Sequence, residues 1–507
     1  MSDFTIPSLK QKRELFQRLN RLTDDSADNY DIVTCQRPDK LPVSFIQEQV
    51  IGAELAGLYD PAKTRVICPA LSYLIKGRIN ISALDKALCE IVRRHEILRT
   101  NYIVIDKQIF QNINVAPDTV LQVSDLRKLA QIDRKNEAER ILAKIAATPF
   151  SFFENQLMIS AKLIITDDDE YILTVITNHI ATDGLSMMIL QTELFGLYQS
   201  FFYNTPSPLT ELPIQYADFA IWERKYYSDE FLEKKLRYWR NIPDTVNTFL
   251  PTDHAPASLS YVGDTVPISI LPELVKRLLL LGHNNNATLF TVLFSAFISL
   301  IHSFSGYKYN FFCIPVANRV RSETRSLIGC FTNFQFVHVD LDGNPTFVEL
   351  IERVHKTLLD VYDNYVPFHF ITKVIPPQGP VVDFQLQTSP NLPDSPANEQ
   401  SYRDEPQPER PRSRPPAQPA AASLAAIPFR LPQAEFALFP IEVLLLGTSK
   451  EVGGYIRYQT AAYERSTILK LVNDYIVLLT KLTGNPNMRI KEMSIKPHTP
   501  GAVAGKF

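Results

Sequence analysis

Glycine and cysteine are both scarce in this sequence, and each shortage excludes a class of protein. Only 17 of the 507 residues are glycine, and neither the GxxxxGK[ST] phosphate loop nor the GxGxxG dinucleotide motif occurs. The five cysteines are dispersed and form no CxxC pair, which argues against a zinc knuckle or a disulfide framework. We therefore predict no metal site, and the dispersed cysteines favour a reducing, cytoplasmic location.

The sequence also lacks a surplus of positive charge and a long hydrophobic run. Lys and Arg number 52 against 55 Asp and Glu, a net charge of −3, so neither nucleic acid nor a membrane surface is expected as a partner. The N-terminus has no apolar signal segment. The most apolar stretch, residues 287–301, carries Thr or Ser every three or four residues, which predicts a buried helix with a polar stripe.

Proline, by contrast, is abundant, with 36 residues in the chain. Nine of them fall within residues 390–420, where aromatic residues are nearly absent. Such a segment cannot bury enough apolar surface to offset the entropy lost on ordering. We predict a disordered Pro-rich insertion between two strands.

The remaining sequence alternates strand and helix patterns in two halves of similar character. This pattern predicts an α/β (α+β) protein of two lobes. The predicted organisation is an N-terminal extension over 1–40, an N-terminal lobe over 41–215, a connector over 216–250, a C-terminal lobe over 251–495 and a tail over 496–507.

One histidine occupies a position that suits chemistry. Residues 171–177 have a strand pattern, residues 185–203 have a helix pattern, and the loop between them contains His179 and Asp183. Loops that join a strand to a helix are held by a rigid scaffold and reach solvent, so His179 is either a catalytic residue or a structural loop histidine. The other eight histidines are predicted to be structural. His179 and Asp183 could be two metal ligands, but no third ligand has a recognisable spacing.

Several segments resemble, in order along the chain, the motifs of condensation domains of nonribosomal peptide synthetases. The loop at 179–184 matches HxxxDG, and the resemblance covers about residues 41–490. The other matching segments are residues 41–49 (SxAQxR), 94–102 (RHExLRTxF), 216–222 with Tyr238-Trp239 (YxDFAxW), 314–319 with 328–333 (ending in IGxFVNT) and 366–368 (part of QDxPFE).

The sequence departs from the family pattern at three places. Asn178 replaces the histidine that usually precedes the catalytic one, and Gln49 replaces the arginine of the first motif. The RDxSRNPL motif is not recognisable around 372–384, and the Pro-rich segment follows where family members have a crossover between lobes. No carrier-protein or adenylation motif is present, which predicts a free-standing enzyme or a part of a larger synthetase.

The resemblance implies a fold and a reaction. Condensation domains resemble chloramphenicol acetyltransferase, and two such lobes form a V-shaped pseudo-dimer with the active-site tunnel between them. The family needs no bound cofactor, because the acyl or aminoacyl donor arrives as a thioester on the 4'-phosphopantetheine of a carrier protein. An amine acceptor, or an alcohol, then attacks the thioester. A carrier protein is therefore the partner that the resemblance implies.

The resemblance also assigns roles to residues of this chain. His179 is expected to be catalytic, and Asp183 to hold the loop through an ion pair with Arg319. Gly184 is expected to provide a backbone angle or a close approach that a Cβ would block. Asn178 is expected to orient the loop without transferring a proton. The residues expected to support the site are Arg94, Arg99, Trp222 and Asn333, with Trp222 in a packing role.

Three functions remain open on the sequence. The first is a condensation enzyme that forms an amide (peptide) bond between a carrier-bound thioester and an amine. The second is an acyltransferase of the same fold that makes an ester or an amide on a soluble acceptor. The third is a non-catalytic recruitment domain, which Asn178 and Gln49 favour and the intact His179 and Asp183 oppose.

Overall fold

The structure, a computed structural model, describes most of the chain between residues 31 and 493. The described residues are 31–34, 36–56, 68–148, 150–227, 229–242, 251–254, 261–305, 309–319, 321–375, 381–388, 425–429, 436–448 and 450–493. The predicted Pro-rich insertion at 390–420, the tail at 496–507 and most of the extension at 1–40 lie outside the described residues, so these three predictions stay predictions.

The first half of the chain mixes strands with helices. Its elements are β1 (Leu41–Pro42), α1 (Phe45–Leu55), β2 (Ala70–Lys76), α2 (Ile81–Arg94), β3 (Thr100–Ile105), β4 (Gln108–Ile113), β5 (Leu121–Asp125), α3 (Gln131–Ala147), β6 (Ile159–Ile165), β7 (Glu170–Thr177), α4 (Gly184–Tyr203), α5 (Tyr216–Tyr226) and α6 (Asp229–Arg240). A short 3-10 helix, Glu96–Arg99, follows α2.

The second half has the same mixed character. Its elements are β8 (Gly263–Ile270), α7 (Pro272–Asn284), α8 (Leu289–Ser305), β9 (Tyr309–Val316), β10 (Asn333–Asp340), α9 (Phe347–Asp363), α10 (Phe368–Val374), β11 (Val382–Thr388), β12 (Ala425–Pro428), β13 (Ile441–Gly447), β14 (Val452–Gln459) and α11 (Arg465–Gly484). Short 3-10 helices span Ser322–Thr324 and Ile490–Met493.

The strands form one main sheet in each half. In the described part of the chain, the first has the order β12-β2-β7-β6-β5 and the second has the order β10-β9-β11-β13-β14-β8. A smaller sheet, β1-β4-β3, flanks the first. Each main sheet packs against its own helices in a large hydrophobic core, and a third, smaller cluster packs α3 on the first sheet. The two-lobed α/β organisation predicted from the sequence is confirmed.

Helix α8 shows how a hydrophobic segment is buried inside the second lobe. Its side chains from Thr291 to Ile301 are all buried. The hydroxyls of Ser295 and Ser299 donate to the carbonyl oxygens of Thr291 and Ser295, at 2.7 and 2.9 Å, so the polar stripe needs no outside partner. Among the described residues, no single helix has the length and hydropathy to cross a membrane, and α7 and α8 meet those criteria only as a pair bent by 101°.

The division between lobes is less simple than the predicted domain boundaries. Strand β12 lies within the predicted 251–495 lobe, yet it pairs antiparallel with β2 of the first sheet. Leu327, Ile328 and Phe331 likewise pack in the first core. Within the predicted connector, α5 packs on the first core and α6 on the second. Two segments of the second half therefore complete the first lobe.

Most predicted elements are present, with shifted ends where side chains intervene. The hydrophobic spacing of residues 82–98 predicts one helix, but α2 ends at Arg94 because His95 adopts an extended backbone (φ −106°, ψ 96°). The apolar pattern of residues 436–446 predicts a strand, but β13 starts only at Ile441 because the amides of Leu438 and Phe439 donate to the Glu442 carboxylate. The sequence patterns did not single out four helices and five strands: α1, α3, α5, α10, β1, β4, β5, β8 and the crossover strand β12.

Candidate active site

His179 lies on a tight turn directly after β7, where the sequence analysis placed it. Asn178 closes this turn: its side-chain Oδ1 accepts from the Ile180 amide at 2.9 Å, and its backbone N–H donates to the Met158 carbonyl at 2.9 Å. The amide side chain thus holds the loop through its acceptor oxygen, which a non-titrating residue can do. His179 itself is only partly buried, in contrast to its neighbours on both sides.

Asp183 is the N-cap of α4 and is also a buried acceptor for several groups. Its Oδ1 accepts from the backbone N–H of Ser186 at 2.8 Å, which satisfies one free amide of the first helical turn. Its Oδ2 accepts from the backbone N–H groups of Phe331 and Thr332, at 3.0 and 3.2 Å. One carboxylate therefore ties the His179 loop to a segment that lies about 150 residues later in the chain.

Arg319 completes this contact, as the family resemblance predicted. Its Nη2 lies 3.1 Å from Asp183 Oδ1, and only 5% and 1% of the two side chains are exposed. Nη1 donates to the carbonyl oxygens of Thr324 and Leu327, at 2.6 and 2.7 Å. The guanidinium also lies over the Phe331 ring, 4.1 Å from its centroid. A buried ion pair with this many hydrogen bonds fixes the orientation of both partners.

The crowding expected around Gly184 is found at another glycine. The backbone of Gly184 does not have a positive φ, and the nearest atom to an added Cβ, Gln387 Nε2, lies at an ordinary 3.9 Å. The expected role of Gly184 is therefore wrong. At Gly329, by contrast, an added Cβ would overlap the ring of Tyr216 and lie 2.7 Å from Phe331 Cε2. The backbone position of this site that is too crowded for a Cβ is therefore Gly329, on the segment that contacts the His179 loop.

Cys330 contacts the candidate catalytic histidine, and the sequence analysis did not single it out. Its Sγ lies 3.8 Å from His179 Nδ1. Its carbonyl oxygen accepts from the Tyr216 hydroxyl at 2.6 Å, and that hydroxyl lies 2.9 Å from Ser44 Oγ. Burial, followed by the negative charge of Asp183, raises the pKa of the thiol far above its usual range. Cys330 is therefore a neutral thiol beside the imidazole and a poor nucleophile.

Glu223 is a second buried acid close to this site. Its Oε2 accepts from the backbone N–H of Phe45, the first residue of α1, at 2.8 Å. Burial raises the pKa of Glu223 to about 7, although the bond from Phe45 opposes the shift. Glu223 directly follows Trp222 in the motif at 216–222, but no local pattern marks it as buried.

Arg94 and His95 brace the helices beneath the loop. Arg94 Nε lies 3.1 Å from Glu193 Oε1, and His95 Nε2 lies 2.8 Å from Glu193 Oε2. His95 Nδ1 accepts from the Ile328 amide at 3.2 Å, so the ring proton is on Nε2 and donates to Glu193. Burial lowers the pKa of His95, which keeps the ring neutral. This structural role agrees with the prediction for His95.

The remaining predicted residues lie in the surrounding scaffold. Arg99 Nε donates to the Val92 carbonyl at 3.2 Å and ties the end of α2 to β3. Trp222 stacks on Tyr226, with ring centroids 4.7 Å apart, which agrees with a packing role. Asn333 Oδ1 accepts from the amides of Phe334 and Phe368, at 2.9 and 3.1 Å, and so positions α10. Arg99, Trp222 and Asn333 therefore support the surrounding scaffold through contacts other than those that hold the His179 loop.

The site and fold agree with one known family. A family profile, the condensation domain, matches residues 38–500. This chain is a condensation domain of the nonribosomal peptide synthetase type. A linear gramicidin synthase of Brevibacillus parabrevis is 31% identical to it over 460 residues, which are 90% of this chain and 9% of the relative. The condensation domain thus spans less than a tenth of the length of that relative.

Solved structures support the same fold. The X-domain in the complex of the X-domain and OxyB from teicoplanin biosynthesis has a TM-score of 0.74 and 21% identity, over 92% of this condensation domain and 98% of that chain. The first condensation domain of the calcium-dependent antibiotic synthetase, in complex with a substrate analogue, has a TM-score of 0.67 and 15% identity, over 90% and 99%. The predicted chloramphenicol acetyltransferase-like pseudo-dimer is confirmed.

Proposed function

We propose that this condensation domain forms an amide bond between a carrier-bound acyl or aminoacyl thioester and an amine acceptor. One observation supports the proposal above the others. His179 is partly exposed on a loop that Asn178 and Asp183 hold from within and Arg319 holds from a distant segment of the chain. A histidine that is fixed in position and partly exposed can meet a substrate in a defined geometry.

The chemistry requires a proton to leave the attacking amine. The amine nitrogen bonds to the thioester carbonyl carbon, the carbon–sulfur bond breaks, and the carrier leaves as a free thiol. With Nδ1 of His179 directed at Cys330, Nε2 is the ring nitrogen that can accept the proton or hold the amine. A free α-amine has a pKa of about 8, so roughly a tenth is neutral at pH 7, and positioning supplies much of the rate.

The donor and the partner follow from this reaction. A thioester is already activated, so the reaction needs no ATP and no resident cofactor. We propose that the donor enters on the 4'-phosphopantetheine of an acyl or peptidyl carrier protein. The relatives are much longer than this chain, and their remaining length leaves room for such carriers in the same polypeptide.

Product mass spectrometry tests the proposal. The protein is mixed with acyl-loaded carrier protein and with amines, alcohols and aminoacyl carriers. His179→Ala is compared with His254→Ala, since His254 is an exposed histidine that pairs with Glu464 in the other lobe. We expect an amide product that His179→Ala loses and His254→Ala retains. An ester as the main product would favour an acyltransferase for alcohols, and a product unaffected by His179→Ala would contradict the proposed site.

A recruitment role is the second candidate, and one comparison favours it. The X-domain that shares this fold was solved in complex with another protein, OxyB. A domain of this kind would bind carrier or partner enzyme without forming product. Intact carrier binding, with no product across the whole panel, would favour recruitment over condensation.

A further inference from the structure

Strand β11 presents a row of polar side chains toward the catalytic loop. Phe384 packs on Phe294 and Phe297 of α8, with ring centroids 5.1 and 5.2 Å apart. Because side chains alternate along a strand, Asp383, Gln385 and Gln387 lie on the opposite face. Gln387 Nε2 lies 3.9 Å from the Cβ position of Gly184, so this face meets the loop that carries His179.

Hydrogen bonds connect the three side chains into a continuous row. Gln387 Nε2 donates to Gln385 Oε1 at 3.2 Å, and Gln385 Nε2 donates to Asp383 Oδ2 at 3.0 Å. Gln387 is exposed, Gln385 is intermediate, and Asp383 is only 2% exposed. The row therefore runs inward from the catalytic loop for roughly 13 Å, at about 3.3 Å per residue.

Asp383 at the inner end has an unused acceptor. Its Oδ1 is buried and has no hydrogen-bond partner. The neighbouring acid on β13, Glu442, is fully paired, because its carboxylate accepts from the amides of Leu438 and Phe439 and from Arg457 Nη1 at 2.9 Å. Arg457 is thus engaged by Glu442 and leaves Asp383 without a counter-ion of its own.

The flanking strands determine the charge of Asp383. Cys313 on β9 and Glu442 on β13 lie beside it in register, and Arg457 on β14 lies beyond Glu442. Burial, reinforced by the negative charge of Glu442, raises the pKa of Asp383 well above its usual range, against the opposing effects of Gln385 and Arg457. The ionised form of Asp383 is therefore disfavoured in the absence of a counter-ion, and a cation that reached Oδ1 would favour it.

We propose that the polar face of β11 binds the aliphatic chain of a substrate that ends in a primary ammonium group, with Asp383 as the counter-ion. Gln387 and Gln385 flank the chain between the reaction centre and Asp383. This inference deepens the proposed function, since it assigns a substrate class to the same site. Buried carboxylates that lack a partner are costly, and a ligand cation supplies the missing one.

Calorimetric binding tests the proposal without any turnover. The probes are 8-aminooctanamide and nonanamide, which differ only in a terminal ammonium or methyl group. We expect the ammonium probe to bind at least tenfold more tightly to the full chain at pH 7.5. The affinity of the ammonium probe should rise with pH over the range in which binding removes a proton from Asp383, whereas that of nonanamide should not change with pH.

Variants identify the carboxylate responsible. Asp383→Asn keeps the size of the residue and removes its ability to become charged, so we expect normal folding and loss of the tenfold preference. Asp383→Ser is a second variant with the same expected loss. Asp264→Asn is the matched control, because it removes a carboxylate that pairs with Arg465 at the surface of the same lobe. A preference that survives both Asp383 variants, or equal affinity for the two probes, would overturn the inference.

Turnover separates this inference from the proposed function. The donors are the 8-aminooctanoyl and nonanoyl thioesters of N-acetylcysteamine, with one amine acceptor that is used by the protein. We expect kcat/KM to favour the ammonium donor by about 10- to 100-fold, and Asp383→Asn to abolish that ratio while retaining activity on the nonanoyl donor. If both donors are turned over equally, the Asp383 site is contradicted but the proposed condensation activity is not. If no donor is turned over while the ammonium probe still binds tenfold more tightly, the proposed condensation activity is contradicted but the Asp383 site is not.

Discussion

Arg319 and Asp183 form a buried ion pair that ties the start of α4, beside the His179 loop, to a segment from the second half of the chain. The guanidinium Nη2 lies 3.1 Å from Asp183 Oδ1, and the carboxylate also accepts from three backbone amides. The pair connects the N-terminus of α4 with the segment at 319–332, so the position of His179 depends on contacts between residues 136 positions apart.

Removal of the Asp183 carboxylate is expected to destabilise the fold strongly. Asp183→Ala would leave a buried guanidinium and three amides without their acceptor, which costs about 3–5 kcal/mol in the free energy of unfolding. Denaturant titration measures this loss. The matched control is Asp264→Ala, which breaks an exposed ion pair with Arg465 and should cost no more than about 1 kcal/mol. Equal, small losses in both variants would refute the structural role of Asp183.

Loss of His179 is expected to affect an alcohol acceptor more than an amine acceptor. A neutral amine can attack the thioester once it is positioned, whereas a hydroxyl group needs a base to remove its proton. General-base catalysis contributes about 10²–10⁴-fold, so we expect His179→Ala to approach the upper limit with alcohols and the lower limit with amines. Initial rates with an amine and an alcohol of the same chain length provide the comparison. Equal losses for both acceptors would contradict a base role that depends on the acceptor.

Glu223 is expected to make the domain less stable as the pH rises. Its pKa is about 7 in the folded protein, against an ordinary 4.5, so the folded state binds the proton more tightly than the unfolded chain does. The contribution of Glu223 to the free energy of unfolding is then fully present below about pH 4.5. About 3 kcal/mol of it is lost as the pH rises through 7.

The Glu223→Gln variant tests this pH dependence. The glutamine side chain can still accept from the Phe45 amide and carries no charge. We expect it to be more stable than the native chain at pH 8 and nearly equal at pH 5, by thermal or urea unfolding. Glu273→Gln, on the exposed surface of α7, serves as the control. Parallel stability profiles for the native chain and Glu223→Gln would show that the carboxyl does not titrate in this range.

Gly329 is expected to tolerate no side chain, whereas Gly52 should tolerate one. An added Cβ at Gly329 meets the rings of Tyr216 and Phe331, and overpacking of this kind costs typically about 1–3 kcal/mol. Gly52→Ala, in the middle of α1 with no atom within 4 Å of the added Cβ, should instead stabilise the protein by about 0.5–1 kcal/mol. Denaturant titration of the alanine variants of Gly329 and Gly52 tests this difference in packing. Changes in the free energy of unfolding with the same sign in both variants would contradict it.

The amino-acid sequence by itself determined many of the local elements and the loop that carries His179. Hydrophobic spacing predicts strands over 70–76 and 333–340 and helices over 229–240 and 272–284, which are the bounds of β2, β10, α6 and α7 in the structure. Such patterns depend on residues within one or two turns, so a single sequence reveals them. The position of His179 after a strand is local in the same sense, and the family motifs added Arg319 as the partner of Asp183.

Only the tertiary structure decided which distant residues meet. Cys330 beside His179, β12 in the first sheet and the unpaired Asp383 beside Glu442 all depend on contacts between remote parts of the chain. The close approach expected at Gly184 lies instead at Gly329, because the ring that fills the space comes from Tyr216, more than a hundred positions away. Local patterns specify which face of an element is buried, but the packing of the lobes selects its neighbours and therefore the charges of its buried groups.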